Sequence, residues 1–112
     1  MLYVLQITAA VATIVTGLVS LLRPRSVTGF TGLELPGPRG VTEVRAILGG
    51  GFVGLGVAPL ILGPGSAYAM LGITYLVIAA ARGLSMVVDG SAVRSNWISL
   101  AVEIAFGVLL VL

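Results

Sequence analysis

Four apolar runs, each about as long as a bilayer is thick, take up nearly all of this 112-residue chain. They cover about residues 2–22, 42–62, 66–88 and 95–112, and a membrane-spanning helix needs about 20 mostly apolar residues. Between the first two lies a stretch holding Pro24, Gly29, Gly32, Pro36, Gly37, Pro38 and Gly40, residue types that interrupt helices and favour turns. Phe30, Leu33 and Leu35 make that stretch partly apolar, so a short turn of helix in the interface is expected there. Gly63-Pro64-Gly65 marks a tight turn, Asp89-Gly90-Ser91 ends the third run, and Ser95 is placed to cap the fourth. The first run lacks the basic start of a signal peptide and stays apolar past Ala10-Val11-Ala12, so it reads as a retained helix.

The solvent follows from the charge count. Only 9% of residues are charged and 58% are hydrophobic, whereas a soluble domain carries about 25% charged residues. Lipid is therefore the expected partner of the surface, and four spans joined by short connections run antiparallel. The expected fold is all-α, an integral membrane up-and-down four-helix bundle forming one domain over residues 1–112.

Absent residue types prune the functions. Without cysteine there is no thiolate nucleophile or thiolate metal ligand, and without histidine the usual general base and the commonest transition-metal ligand are missing. Gly49-Gly50-Gly51 has no Lys-Ser/Thr after it, so it is no phosphate loop. The six basic residues are all arginine and are scattered, which does not describe a nucleic-acid surface. A non-enzymatic protein without a cofactor is expected, with a homo-oligomer or a larger membrane complex left open.

The arginines also give a direction. Arg23, Arg25, Arg39 and Arg45 lie at or near the first connection, Arg94 lies in the third, and Arg82 leads towards it. The positive-inside rule makes loops 23–41 and 89–94 cytoplasmic and puts both termini outside. Trp97 and Tyr3, near span ends, read as interfacial anchors.

Charges within spans are costly and usually face the interior with partners. Here they are Glu43 and Arg45 in the second span, Arg82 and Asp89 on the third, and Glu103 in the fourth. Counting about 1.5 Å per residue puts Arg82 and Glu103 roughly 10 Å below the same interface, which predicts a pair. Asp89 follows Arg82 by seven residues on the same face, and Glu43 and Arg45 enter at that end, so one network of five charges is expected. Ser85 and Tyr75 fall on the same face as Arg82. Gly50 and Gly54 form a G-x-x-x-G, which predicts close helix packing.

Taken together, Gly32-Leu33-Glu34-Leu35-Pro36, Thr42-Glu43-Val44-Arg45-Ala46 with Gly49-Gly50, and Ala81-Arg82-Gly83-Leu84-Ser85 running to Asp89-Gly90, then Glu103, form an order that resembles a known family. It is the small bacterial four-helix membrane proteins grouped as domain of unknown function 4345, similar in build to DoxX-like proteins. The matching positions are Glu43, Arg45, Arg82, Ser85, Asp89 and Glu103. The sequence departs from the pattern at Ile47-Leu48, where an aromatic residue is expected. The resemblance implies fold and topology and no activity.

Three readings remain open: a structural or accessory membrane protein whose charges satisfy one another, a binder or carrier of an amphipathic or anionic ligand such as a lipid head group or quinone, and an enzyme using the carboxylates. The first predicts no open pocket among the charges. The second predicts a cavity lined by them and open to the cytoplasmic face or to lipid.

Overall fold

The computed structural model describes residues 1–112. Each apolar run is a helix and no strand forms. Helix α1 spans Leu2–Leu22, α2 is the single turn Thr28–Thr31, α3 spans Pro38–Leu62, α4 Ser66–Val88 and α5 Arg94–Val111. All but α2 are long and apolar enough to cross a membrane.

The boundaries differ from the sequence reading in two places. Helix α3 begins at Pro38 rather than near Thr42, because the fixed φ and missing N–H of proline suit the first helical position. Helix α5 begins at Arg94, so Ser95 lies inside it, and no side chain caps that end. Between α1 and α3, residues Pro24–Val27 form a 3-10 turn that leads directly into α2.

Helix α3 is not uniform. Residues Val44–Gly51 wind as a π-helix, and the α-helical remainder contains Pro59. A π stretch of this length is rare. Of its residues only Val44 and Gly49 are buried, and Gly49 lies against the Leu21 backbone of α1.

Glycine sets how closely the helices pair. Helix α3 lies antiparallel against α1, and a Cβ added at Gly17 would stand 2.6 Å from the Val53 nitrogen and 2.7 Å from the Gly49 oxygen. One at Gly56 would stand 2.6 Å from the Ala10 oxygen, and one at Gly49 would stand 2.9 Å from the Leu21 backbone. In the second antiparallel pair, α4 and α5 meet at Gly72 and Gly107, where an added Cβ would come within 2.9 Å and 3.2 Å of the opposing glycine's oxygen. Lipid supplies no hydrophobic drive between helices, so such contact is what holds them. The expected packing pair behaves otherwise. Gly54 has nothing within 4 Å of its missing Cβ and Gly50 meets only its own helix at Arg45, so within the chain close approach falls to Gly49 and Gly56.

The two pairs join through a small core of Ala9, Ala10, Tyr68, Leu71, Tyr75 and Leu110. Tyr68 stacks edge-on against Tyr3 and Tyr75 against Phe106, each with centroids 5.6 Å apart. Gln6 donates to the Leu109 carbonyl at 3.2 Å, serving an oxygen that the end of α5 leaves free and tying α1 to α5. Only 19 of 112 residues are buried, while Ile61 is 76% and Val77 63% exposed. The outer surface is apolar, as contact with lipid requires and contact with water would penalise.

Candidate functional site

Arg82 and Glu103 face each other across α4 and α5. The Arg82 Nε donates to Glu103 Oε1 at 2.8 Å and Oε2 at 3.1 Å, and Nη2 donates to Oε2 at 2.7 Å. This forked arrangement is the strong form of an arginine–carboxylate pair. The Arg82 Nη1 donates to the side-chain oxygen of Asn96 at 2.9 Å, and the Asn96 amide donates to the Ser91 carbonyl at 2.9 Å. Ser91 is held in turn by its own N–H to the Met86 carbonyl, the long bond that closes a helix end when the preceding residue is left-handed; that residue is Gly90, at φ 63°. The turn after α4 is thus locked, and through Asn96 it locks the guanidinium.

Beside the pair is a cavity of about 510 Å³. Val15, Thr16, Val19 and Ser20 of α1 form one wall, and Ile98, Ser99, Val102 and Phe106 of α5 form the other. Tyr75 and Arg82 of α4 line it, as do Leu48 and Phe52 of α3, where the π-helical section ends. The turn before α2 and α2 itself close the arginine-rich end with Ser26, Val27, Phe30 and Thr31. Gln6 and the core around Ala9, Ala10 and Leu110 tie α1 to α5 at one end, and the cavity lies between their other halves.

The hydroxyls of Thr16, Ser26 and Thr31 donate to nearby backbone carbonyls, so the unengaged polar atoms in this cavity are few. Arginine has five N–H donors; Glu103 and Asn96 occupy three of those of Arg82, leaving two. Tyr75 lies 2.5 Å from the Thr13 hydroxyl, which itself donates to the Ala9 carbonyl, so the tyrosine is the donor and its oxygen keeps acceptor capacity. Ser20 is only 4% exposed, lines the cavity and makes no hydrogen bond. An apolar cleft of this size with a few convergent polar groups is the usual form of a small-molecule site.

The model of the family described as domain of unknown function 4345 matches residues 1–112. The chain belongs to that family. No curated protein and no solved structure matches it.

In this family member the five expected charges divide. Arg82 and Glu103 come together; the other three do not join them. Glu43 takes Arg39, one turn before it on α3, and both are exposed. Arg45 turns to the Leu21 carbonyl at the end of α1, at 3.0 Å. Asp89 accepts from Ser85, four residues earlier, at 2.6 Å. Glu43 and Asp89 have partners four residues away on their own helix and Arg45 a single one on α1, which costs less ordering than a network spanning three helices. Asn96 was missed, although it stands seven residues before Glu103 on one face of α5 and could have been read from that spacing. Ser20 and Ser99 carried no signal, since single serines are common in apolar helices. No cluster of three or more acidic side chains stands ready for a metal.

Glu43→Gln and Asp89→Asn are therefore expected to change unfolding free energy by no more than about 0.5 kcal/mol each. Thermal unfolding in a mild detergent checks this, and a loss comparable to that of Glu103→Gln would put them back in the network.

Proposed function

We propose that this protein is a non-enzymatic multi-pass membrane protein that holds an amphipathic molecule in the cavity between α1 and α5. The observation that carries this is the position of Arg82–Glu103, the one charged pair, in the wall of a largely apolar cavity of about 510 Å³. A salt bridge needed only for packing has no reason to face open space, whereas a polar corner in an apolar cleft orients a ligand with one polar end. In a bacterial plasma membrane, which the family resemblance implies, the distribution of arginines supports loops 23–41 and 89–94 in the cytoplasm and both termini outside, so the polar corner lies nearer the cytoplasmic side. Arg45, Ser85, Asp89 and Glu43 serve the ends of the helices in this reading.

The test is retention. Protein purified in a neutral detergent is expected to carry a bound amphiphile visible by native mass spectrometry. Ser99→Phe, which fills the cavity from one wall, is expected to lose most of it without losing the fold. Equal retention by wild type and variant removes the cavity from the account.

A second reading has its own observation. Gly50 and Gly54 face away from every other helix of the chain, which favours a homo-oligomer or an accessory subunit packed on that side of α3. Gly54→Leu is then expected to lower the oligomeric state while leaving the monomer folded, as read by light scattering of the detergent complex.

A further inference from the structure

We infer that the cavity takes an amphiphile with an uncharged head, a hydroxyl or carbonyl group on an apolar chain, admitted sideways from the bilayer between α1 and α5. This rests on the reading that the cavity is a binding site and adds the class of ligand and its route. The charge of the head follows from the wall. Arg82 and Glu103 are the only charged residues lining the cavity, and they neutralise each other at 2.7 Å. A head carrying a net charge would find no net opposite charge and would lose its water, a cost that membrane interiors penalise heavily. An uncharged polar head finds both halves of what it needs: the two unused N–H groups of Arg82 and the free hydroxyl of Ser20 as donors, and the Glu103 carboxylate and Tyr75 oxygen as acceptors. Ser20 adds a donor of its own, because its hydroxyl lines the cavity and no other group of the chain engages it.

The route follows from the rim. Val15, Val19, Ile98 and Val102 line the cavity and are still 53%, 45%, 44% and 43% exposed. All four are apolar and lie on helices long enough to cross a membrane, so the opening between them faces acyl chains. A chain-bearing ligand can slide through such an opening without entering water.

The experiment compares three amphiphiles with one octadecenyl chain and different heads: glycerol, sulfate and trimethylammonium. Each is added at the same mole fraction to wild-type protein in a neutral detergent, and occupancy is read by native mass spectrometry, with Ser99→Phe and, independently, Val102→Phe marking binding outside the cavity. The glycerol compound is expected to bind at least about tenfold more tightly than either charged one, and both fillers to abolish that difference. Glu103→Gln, which leaves Arg82 uncompensated, is expected to shift preference towards the sulfate. Tighter binding of the sulfate or the ammonium compound by wild type, still blocked by the fillers, overturns the uncharged class and leaves the cavity as a site. Binding of all three that neither filler reduces overturns both. The wild-type comparison stands even if Glu103→Gln fails to fold.

Discussion

Arg82→Gln and Glu103→Gln are each expected to lower stability by about 3–5 kcal/mol, and the double variant to recover most of the loss. Removing one member of a largely enclosed ion pair leaves the other charge without compensation, and that cost exceeds what the intact pair contributes. The Glu103 side chain is only 10% and Arg82 30% exposed, and the surroundings are apolar rather than aqueous, so screening is weak. Two glutamines can hydrogen-bond to each other and to Asn96 without any charge. A double-mutant cycle on thermal unfolding in detergent measures the coupling. Additive single losses would show that each residue answers to something other than its partner. The double variant also separates stability from binding: its fold returns, but the two spare Arg82 donors do not, so retention of a co-purified amphiphile is expected to stay low.

Gly56→Leu is expected to cost about 3 kcal/mol or more, or to prevent folding, while Gly54→Ala is neutral or gains up to about 1 kcal/mol. The two glycines are two residues apart on the same helix, yet their surroundings are opposite. A Cβ at Gly56 would strike the Ala10 backbone oxygen at 2.6 Å, and backbone cannot swing aside as a flexible side chain can. At Gly54 the same atom meets open space, and alanine simply restores helix propensity. Gly17→Leu and Gly107→Leu belong with Gly56→Leu, each in one of the two seams that hold the bundle together. Yield of folded protein and melting temperature in detergent decide the matter; similar behaviour at Gly54 and Gly56 would mean that α3 is turned differently against α1.

This contrast shows where the sequence was readable. The four spans followed from apolar length alone, because lipid leaves the backbone no alternative to helix. The Arg82–Glu103 pairing followed from depth, since both helices there are regular and run antiparallel. The face of α3 did not follow, because Val44–Gly51 is wound with wider turns than an α-helix and the 3.6-residue arithmetic loses phase across it. Gly50 and Gly54 were expected to pack from their G-x-x-x-G spacing, which does not say which face they take after that stretch, and Arg45 was placed in a network by its depth, which does not say which neighbour it turns to. Nothing in the letters Gly49-Gly50-Gly51 announces the change of winding. The cavity was hidden for another reason: it is a property of the space between α1 and α5, set by where Gln6 holds them together and by α2 folding over the far end.

An amphiphile is expected to occupy the space between α1 and α5 beside Arg82 and Glu103. The most direct measurement is photolabelling in lipid nanodiscs with an uncharged octadecenyl glycerol carrying a diazirine at the chain midpoint, followed by mapping of the labelled residues. Labels concentrated on Val15–Ser20 and Ile98–Phe106 are the predicted result. Labels spread evenly over the outward residues Ile61, Ile73 and Val77, with no excess between α1 and α5, would contradict it.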